Sequence, residues 1–212
     1  MGKKLNTVFT RLLQNLEPTI PLYPIHSFFW KEKIKPLRGS KDYSDSNYFL
    51  RRLFVTSKNE AILLIEQAYA YQGTTVGDIY HYDDIGIFKL GVKGDLIWTS
   101  KIKKEHAWHG TNKFLSFYST LKNDRLFLFY NGNYINIEGR DNFLKGNDAA
   151  LLCTTVESDG SFQRNVVSYY AEEYPVVAIP RLSNRSEFKG VLLYSVAPGN
   201  VKRQKFTNVT LN

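Results

Sequence analysis

The sequence predicts a mainly β fold of antiparallel, four-stranded, blade-like repeats, a partial or degenerate β-propeller, preceded by an N-terminal amphipathic helix and a strap rich in proline and aromatic residues. Three observations predict it. A β-like run, a polar break holding an Asn and a second β-like run recur at residues 54–66 around Asn59, 117–130 around Asn123 and 179–194 around Asn184, at intervals of 123 − 59 = 64 and 184 − 123 = 61 residues. A second hairpin pattern follows within each unit: 84–90 and 96–102 around Gly91-Val92-Lys93-Gly94, 151–156 and 162–167 around Glu157-Ser158-Asp159-Gly160, and 192–196 and 201–209 around Ala197-Pro198-Gly199-Asn200. Tyr and Phe number fourteen each in 212 residues, and such rings suit pleated, half-buried surfaces.

The elements follow in chain order. Leu5, Val8, Phe9, Leu12, Leu13 and Leu16 recur at helical spacing with Lys3, Lys4 and Arg11 off that face, and Pro18 ends the helix. The apolar face is expected to pack on the β body, with membrane-surface contact by residues 3–16 as the competing use. Pro18, Pro21, Pro24 and Pro36 then space out Tyr23, Phe28, Phe29 and Trp30. Proline at that density suits an extended strap, and the aromatic triplet is expected to anchor on the body rather than stand in water. Residues 39–47 form a polar linker. The division is therefore 1–48, helix and strap, and 49–212, the β body, with units of about 50–112, 113–175 and 176–212. A plain antiparallel sandwich is the competing architecture. In the tight hairpins Asp-Gly supplies the positive φ angles that such turns demand.

Composition excludes several classes. Cys153 is the lone cysteine, so no internal disulfide exists, and its apolar surroundings make it a buried small hydrophobe rather than a nucleophile. No run of eighteen apolar residues occurs to suggest a membrane helix, and the first twenty residues lack the apolar core of an export signal. The net charge is +8, but residues 1–41 hold eight Lys and Arg against Glu17 and Glu32, or +6. The remaining 28 − 8 = 20 basic and 20 − 2 = 18 acidic side chains leave the body at +2, so no phosphate-tracking stripe and no nucleic-acid partner is expected.

The chemically suggestive groups have structural readings beside them. On a helix His106 and His109 would be neighbours, with Glu105 adjacent, yet a further ligand is wanting, and the segment reads as a polar connection between units. His81, Asp83 and Asp84 precede a strand, where acidic groups commonly cap turns. The 157–160 turn lacks the full alternation of a calcium loop. No phosphate loop, dinucleotide fingerprint or nucleophile elbow occurs, so neither cofactor nor metal is expected.

Two long connections carry the better prospects. Residues 68–83 hold Tyr69, Tyr71, Tyr80 and Tyr82 with Gly73 and Gly77, and residues 131–148 hold Tyr134, Arg140 and Phe143 among Asn and Gly. Long loops on a rigid scaffold host recognition, and Tyr offers apolar area and a hydroxyl at small entropic cost. The candidate ligand-binding residues are therefore Tyr69, Tyr71, Tyr80, Tyr134, Arg140 and Phe143, with a protein or glycan as ligand; the competing reading packs these rings on their own sheets.

The succession Leu63-Leu64-Ile65-Glu66-Gln67, Asp78-Ile79-Tyr80, Gly94-Asp95-Leu96-Ile97-Trp98 and Ile102-Lys103-Lys104 resembles a blade pattern common in uncharacterised, often exported proteins of the Bacteroidota. The run from Phe117-Tyr118-Ser119 through Lys122-Asn123-Asp124-Arg125 to Asn131 is similar to the next blade of the same proteins. The likeness covers roughly residues 50–211 and implies a propeller-like body but not which activity, because such superfolds host many unrelated functions. Those proteins are usually longer, whereas this chain supplies two full units and a shortened third. It therefore reads as the C-terminal part of a propeller or a degenerate relative, and its own arm, self-association or a partner protein is expected to cover the open sheet edges.

Two functions remain. One is a non-catalytic binding or scaffold module. The alternative is a glycoside-hydrolase-like β enzyme in which Glu66, Asp78, Asp83 or Asp84 converge at glycosidase separation. Glu66 is the test residue, because it closes an apolar strand and would be costly to bury unpaired.

Overall fold

The structure, a computed structural model, describes residues 47–73, 77–134, 149–170, 176–185, 190–198 and 200–211. The N-terminal helix and the strap fall outside the described residues, as do Arg140 and Phe143. The fold is mainly β, and every strand pair is antiparallel among the described residues.

The first sheet is a meander of β1 (Asn47–Val55), β2 (Ala61–Gly73), β3 (Gly77–Leu90) and β4 (Leu96–Ile102). Where β4 has ended, β5 (His106–His109) takes its place beside the far half of β3. The second sheet is a meander of β6 (Tyr118–Lys122), β7 (Arg125–Asn133), β8 (Ala149–Val156) and β9 (Phe162–Tyr169). In the third, β10 (Val177–Ala178) and β11 (Asn184–Arg185), separated by a 3-10 turn at Pro180–Leu182, pair with β12 (Gly190–Ala197), which carries β13 (Asn200–Thr210) on its other side. The described residues close into neither a barrel nor a propeller.

The turns explain the registers. Residues 56–60, 91–95 and 157–161 share one geometry, in which the first N–H donates to the fifth carbonyl and the fourth N–H to the first carbonyl. In each the fourth residue, Asn59 (φ 61), Gly94 (φ 86) or Gly160 (φ 88), supplies the left-handed conformation that lets a type I turn match strand twist. Asp159 does not share the positive φ expected of an Asp-Gly turn; its side chain accepts from Ser161 N at 2.9 Å instead. The β6–β7 turn is the shorter kind, with both Asn123 (φ 51) and Asp124 (φ 59) left-handed. Asn184 corrects an expectation. It lies inside β11 opposite Leu192, so it does not occupy the turn place held by Asn59 and Asn123.

The central strands of the second sheet, β7 and β8, are buried on both faces. Leu126, Leu128, Tyr130, Ala150 and Leu152 join Ile62, Leu64, Ile85, Ile87 and Ile102 of the first sheet in one core cluster. Their neighbours Phe127, Phe129, Ala149, Leu151 and Cys153 join Val177, Val191, Leu193 and Val196 of the third sheet in another. Successive residues of a strand face opposite ways, so β7 and β8 must be apolar almost throughout. Burial pushes the Cys153 thiol up to about 12, which makes it inert as a nucleophile.

Polar seams pin the layers. Trp98 Nε1 and Lys89 Nζ, both in the first sheet, donate to Ser158 O in the β8–β9 turn at 2.9 and 3.2 Å. Asn131, wholly buried on β7, donates to Phe114 O at 2.7 Å and to Ala178 O of the third sheet at 2.9 Å, and accepts from the Tyr170 hydroxyl. A buried amide satisfied from both sides fixes the relative position of two sheets in a way that apolar contact alone does not.

Candidate functional site

Chemistry concentrates where β2 and β3 bend. The register slips between Glu66 and Ala68, because Gln67 stands opposite the extra residues Asp83 and Asp84. A bulge of this kind redirects side chains and raises twist. Before it, β2 and β3 belong to the sheet. Beyond it they run on as a ribbon, Ala68–Gly73 against Gly77–Tyr82, with β5 along one side.

Glu66 is fully buried at the bend, and its carboxylate is saturated. Oε1 accepts from Lys104 Nζ at 2.6 Å, while Oε2 accepts from Arg51 Nε at 2.9 Å and Ser116 Oγ at 2.6 Å. Lys104 Nζ also donates to Tyr82 O at 3.0 Å. Ser116 holds a left-handed backbone (φ 72), a strain of the kind that persists when surrounding contacts fix the residue. Two cations and a hydroxyl satisfy the buried charge, as burial requires. The best residue of the hydrolase reading is therefore committed to holding β1, β2 and the 103–117 connection together.

The other carboxylates named for that reading have separate surroundings. Asp84 accepts from Lys104 N at 3.1 Å and lies 3.5 Å from Lys101 Nζ. Asp78 sits near the ribbon tip and accepts from the Tyr80 hydroxyl at 3.3 Å. Asp83 is the perturbed one. Burial pushes its carboxyl up to about 7, with Glu105 and Asp84 adding and with Lys104 and the Tyr69 hydroxyl opposing. The same burial, with the nearby Asp84 and Asp83 charges, raises the Tyr48 hydroxyl to about 12.

The ribbon has two faces. Ala68, Tyr82 and His106 form one cross-strand row and Ala70, Tyr80 and Trp108 the next, and this face packs on the core shared with the second and third sheets. Arg181 of the 3-10 turn stacks over the Tyr82 ring at 4.9 Å. On the opposite face Tyr69 stacks flat on His81, with centroids 4.5 Å apart and an interplanar angle of 4°. Burial lowers the pKa of His81, and lowers that of His106 well below the ordinary value with Lys104 and Arg164 adding.

Tyr69 and Tyr80 thus share a ribbon but point to opposite faces. Tyr71 pairs with Ile79 through its backbone. Tyr134 stands apart, at the end of β7, edge-on to Tyr169 at 4.8 Å and packed against the core between the first two sheets. Residues 104–109 correct a second expectation. They are not a solvated connection but contain strand β5, with Lys104 and His106 buried. In a strand His106 and His109 project to opposite sides, which removes the helical pairing that a shared metal would use. Among the described residues no group of three metal-ligating side chains gathers. Arg51 and Ser116 were missed by sequence reasoning; the signal that pointed toward them was Glu66 itself, a carboxylate at the end of an apolar strand. No protein-family model, curated protein or solved structure matches this chain.

Proposed function

We propose that the chain is a non-catalytic scaffold, a partial β-propeller of blade-like repeats, that binds a protein or glycan through the projecting end of the β2–β3 ribbon. The observation that carries this reading is the ribbon itself. It outruns β4, which stops opposite Ile85, and its two strands carry Tyr69, Tyr71 and the exposed Asp78, with β5 paired along one side. Tyr side chains on a hydrogen-bonded ribbon, near the left-handed Gly77, suit contact with a partner at low entropic cost. The blade-like reading draws support from the meander order shared by the first two sheets, in which residues 54–66 and 117–130 fall in the first two strand places of each. Saturation of Glu66 tells against the hydrolase alternative.

The test is a glycan and peptide array probed with the full chain and with a Tyr71→Ala, Asp78→Ala variant, using Phe206→Ala on the exposed face of the third sheet as control. Binding lost in the ribbon variant and kept in the control supports the reading. Equal binding by all three, or none by the parent chain, overturns it.

A further inference from the structure

The first sheet has a second face, turned away from the stack. Leu64 and Ile87 point into the core, so their neighbours Leu63 and Phe88 point outward. Register places Leu53, Leu63 and Phe88 in one outward row and Val55, Ala61, Leu90 and Leu96 in another. Val55 is 51% exposed and Leu96 44%, as befits a free face, yet Phe88 in the neighbouring row is only 2% exposed. Sheet neighbours alone leave a residue in such a row partly open, as Leu53 and Leu63 are.

We propose that this outward face is the docking site of the aromatic segment Phe28-Phe29-Trp30 of the same chain. Two further observations select that occupant. The preceding chain enters the fold at Asn47, the first residue of β1, which is the edge strand of this very sheet. From Trp30 to Asn47 there are 47 − 30 = 17 residues, an extended reach of roughly 56 Å, against roughly 14 Å across four strands. The chemistry also matches. Apart from Thr99 the two outward rows are apolar, and three consecutive aromatic rings offer a concentrated apolar payload to match. Docking there covers an apolar sheet face that would otherwise pair with another molecule. The proposal stands independently of the ribbon's ligand.

Photocrosslinking in the full chain tests it. Phe29→p-benzoylphenylalanine is prepared as an equal mixture of unlabelled and 15N-labelled protein, irradiated, and mapped by mass spectrometry. Adducts within one chain to peptides of β2, β3 or β4 are expected, with their yield reduced by Leu63→Asp. If that variant fails to fold, the map of the parent chain still decides the matter. Mixed-label adducts, adducts to the third sheet, or no adducts overturn the proposal, the first pointing to a second copy as the occupant.

Discussion

Lys104 Nζ lies 2.6 Å from Glu66 Oε1 with both side chains out of water, and the two residues are 38 positions apart in the chain. The pair ties the segment between β4 and β5 to the bend of β2 and makes the Glu66 carboxylate an internal anchor. Buried pairs contribute modestly as intact units, but half of one is costly, because the remaining charge has no water to turn to.

Glu66→Gln is therefore expected to destabilise the fold by about 3–5 kcal/mol. Combining it with Lys104→Met should cost less than the sum of the two single variants, because neither charge is left alone. Urea midpoints at constant m-value measure both.

Asp83 gives stability an unusual pH dependence. Its carboxyl titrates at about 7 when folded against 3.8 ordinarily, so folding takes up a proton between those values. The contribution is whole below 3.8 and is lost as pH rises through about 7. His106 acts oppositely: its folded pKa is depressed from 6.5, so its contribution is present above that value and lost as pH falls. Asp83→Asn isolates the first effect. The stability of the parent minus that of the variant should decline from pH 4 to 7, by at most about 1.4 kcal/mol per unit. A flat difference would contradict the burial of this carboxyl.

Asn123 and Asp124 both hold the left-handed conformation, and Asp124 additionally accepts from Ser57 N at 2.8 Å in the neighbouring sheet. Asn123→Val should cost about 1–2 kcal/mol, whereas Asn123→Gly should be near neutral. Thermal midpoints of the two variants provide the check.

Two glycines differ in what surrounds them. A Cβ at Gly190 would stand 2.5 Å from the Val209 carbonyl oxygen, which is backbone held in the β12–β13 ladder, while one at Gly132 would meet the tip of the Leu152 side chain at 2.6 Å. Gly190→Ala is expected to cost about 3 kcal/mol and Gly132→Ala about 1 kcal/mol, because a rotamer yields more readily than a strand. Chemical denaturation of both variants ranks them.

Much of the fold was legible in the chain. The hairpins around Asn59, Asn123, Gly94 and Gly160 were readable because left-handed turns draw on few residue types. The apolar runs of β7 and β8 were readable as strands, though not as strands buried on both faces. Asn184 was misplaced because an Asn satisfies a strand place as well as a turn when its surroundings permit. Residues 104–109 were misread for a different reason. A lysine beside a glutamate and a histidine looks solvated in isolation, and only a carboxylate brought from β2 makes burial of Lys104 stable. The site was half legible: Glu66 was singled out as a group that needs a partner, but Tyr69, Tyr80 and Tyr134, grouped by their loops, project to three different environments.

By itself the sequence determined where strands begin and turn, because hydrophobic alternation and backbone φ preferences act over a few residues. Tertiary structure alone decided which charges meet. The Glu66 anchor draws on Arg51, Lys104 and Ser116 from three separate stretches. Their encounter depends on a bulge in one sheet and on how the connections between sheets are folded back, quantities that no local pattern encodes.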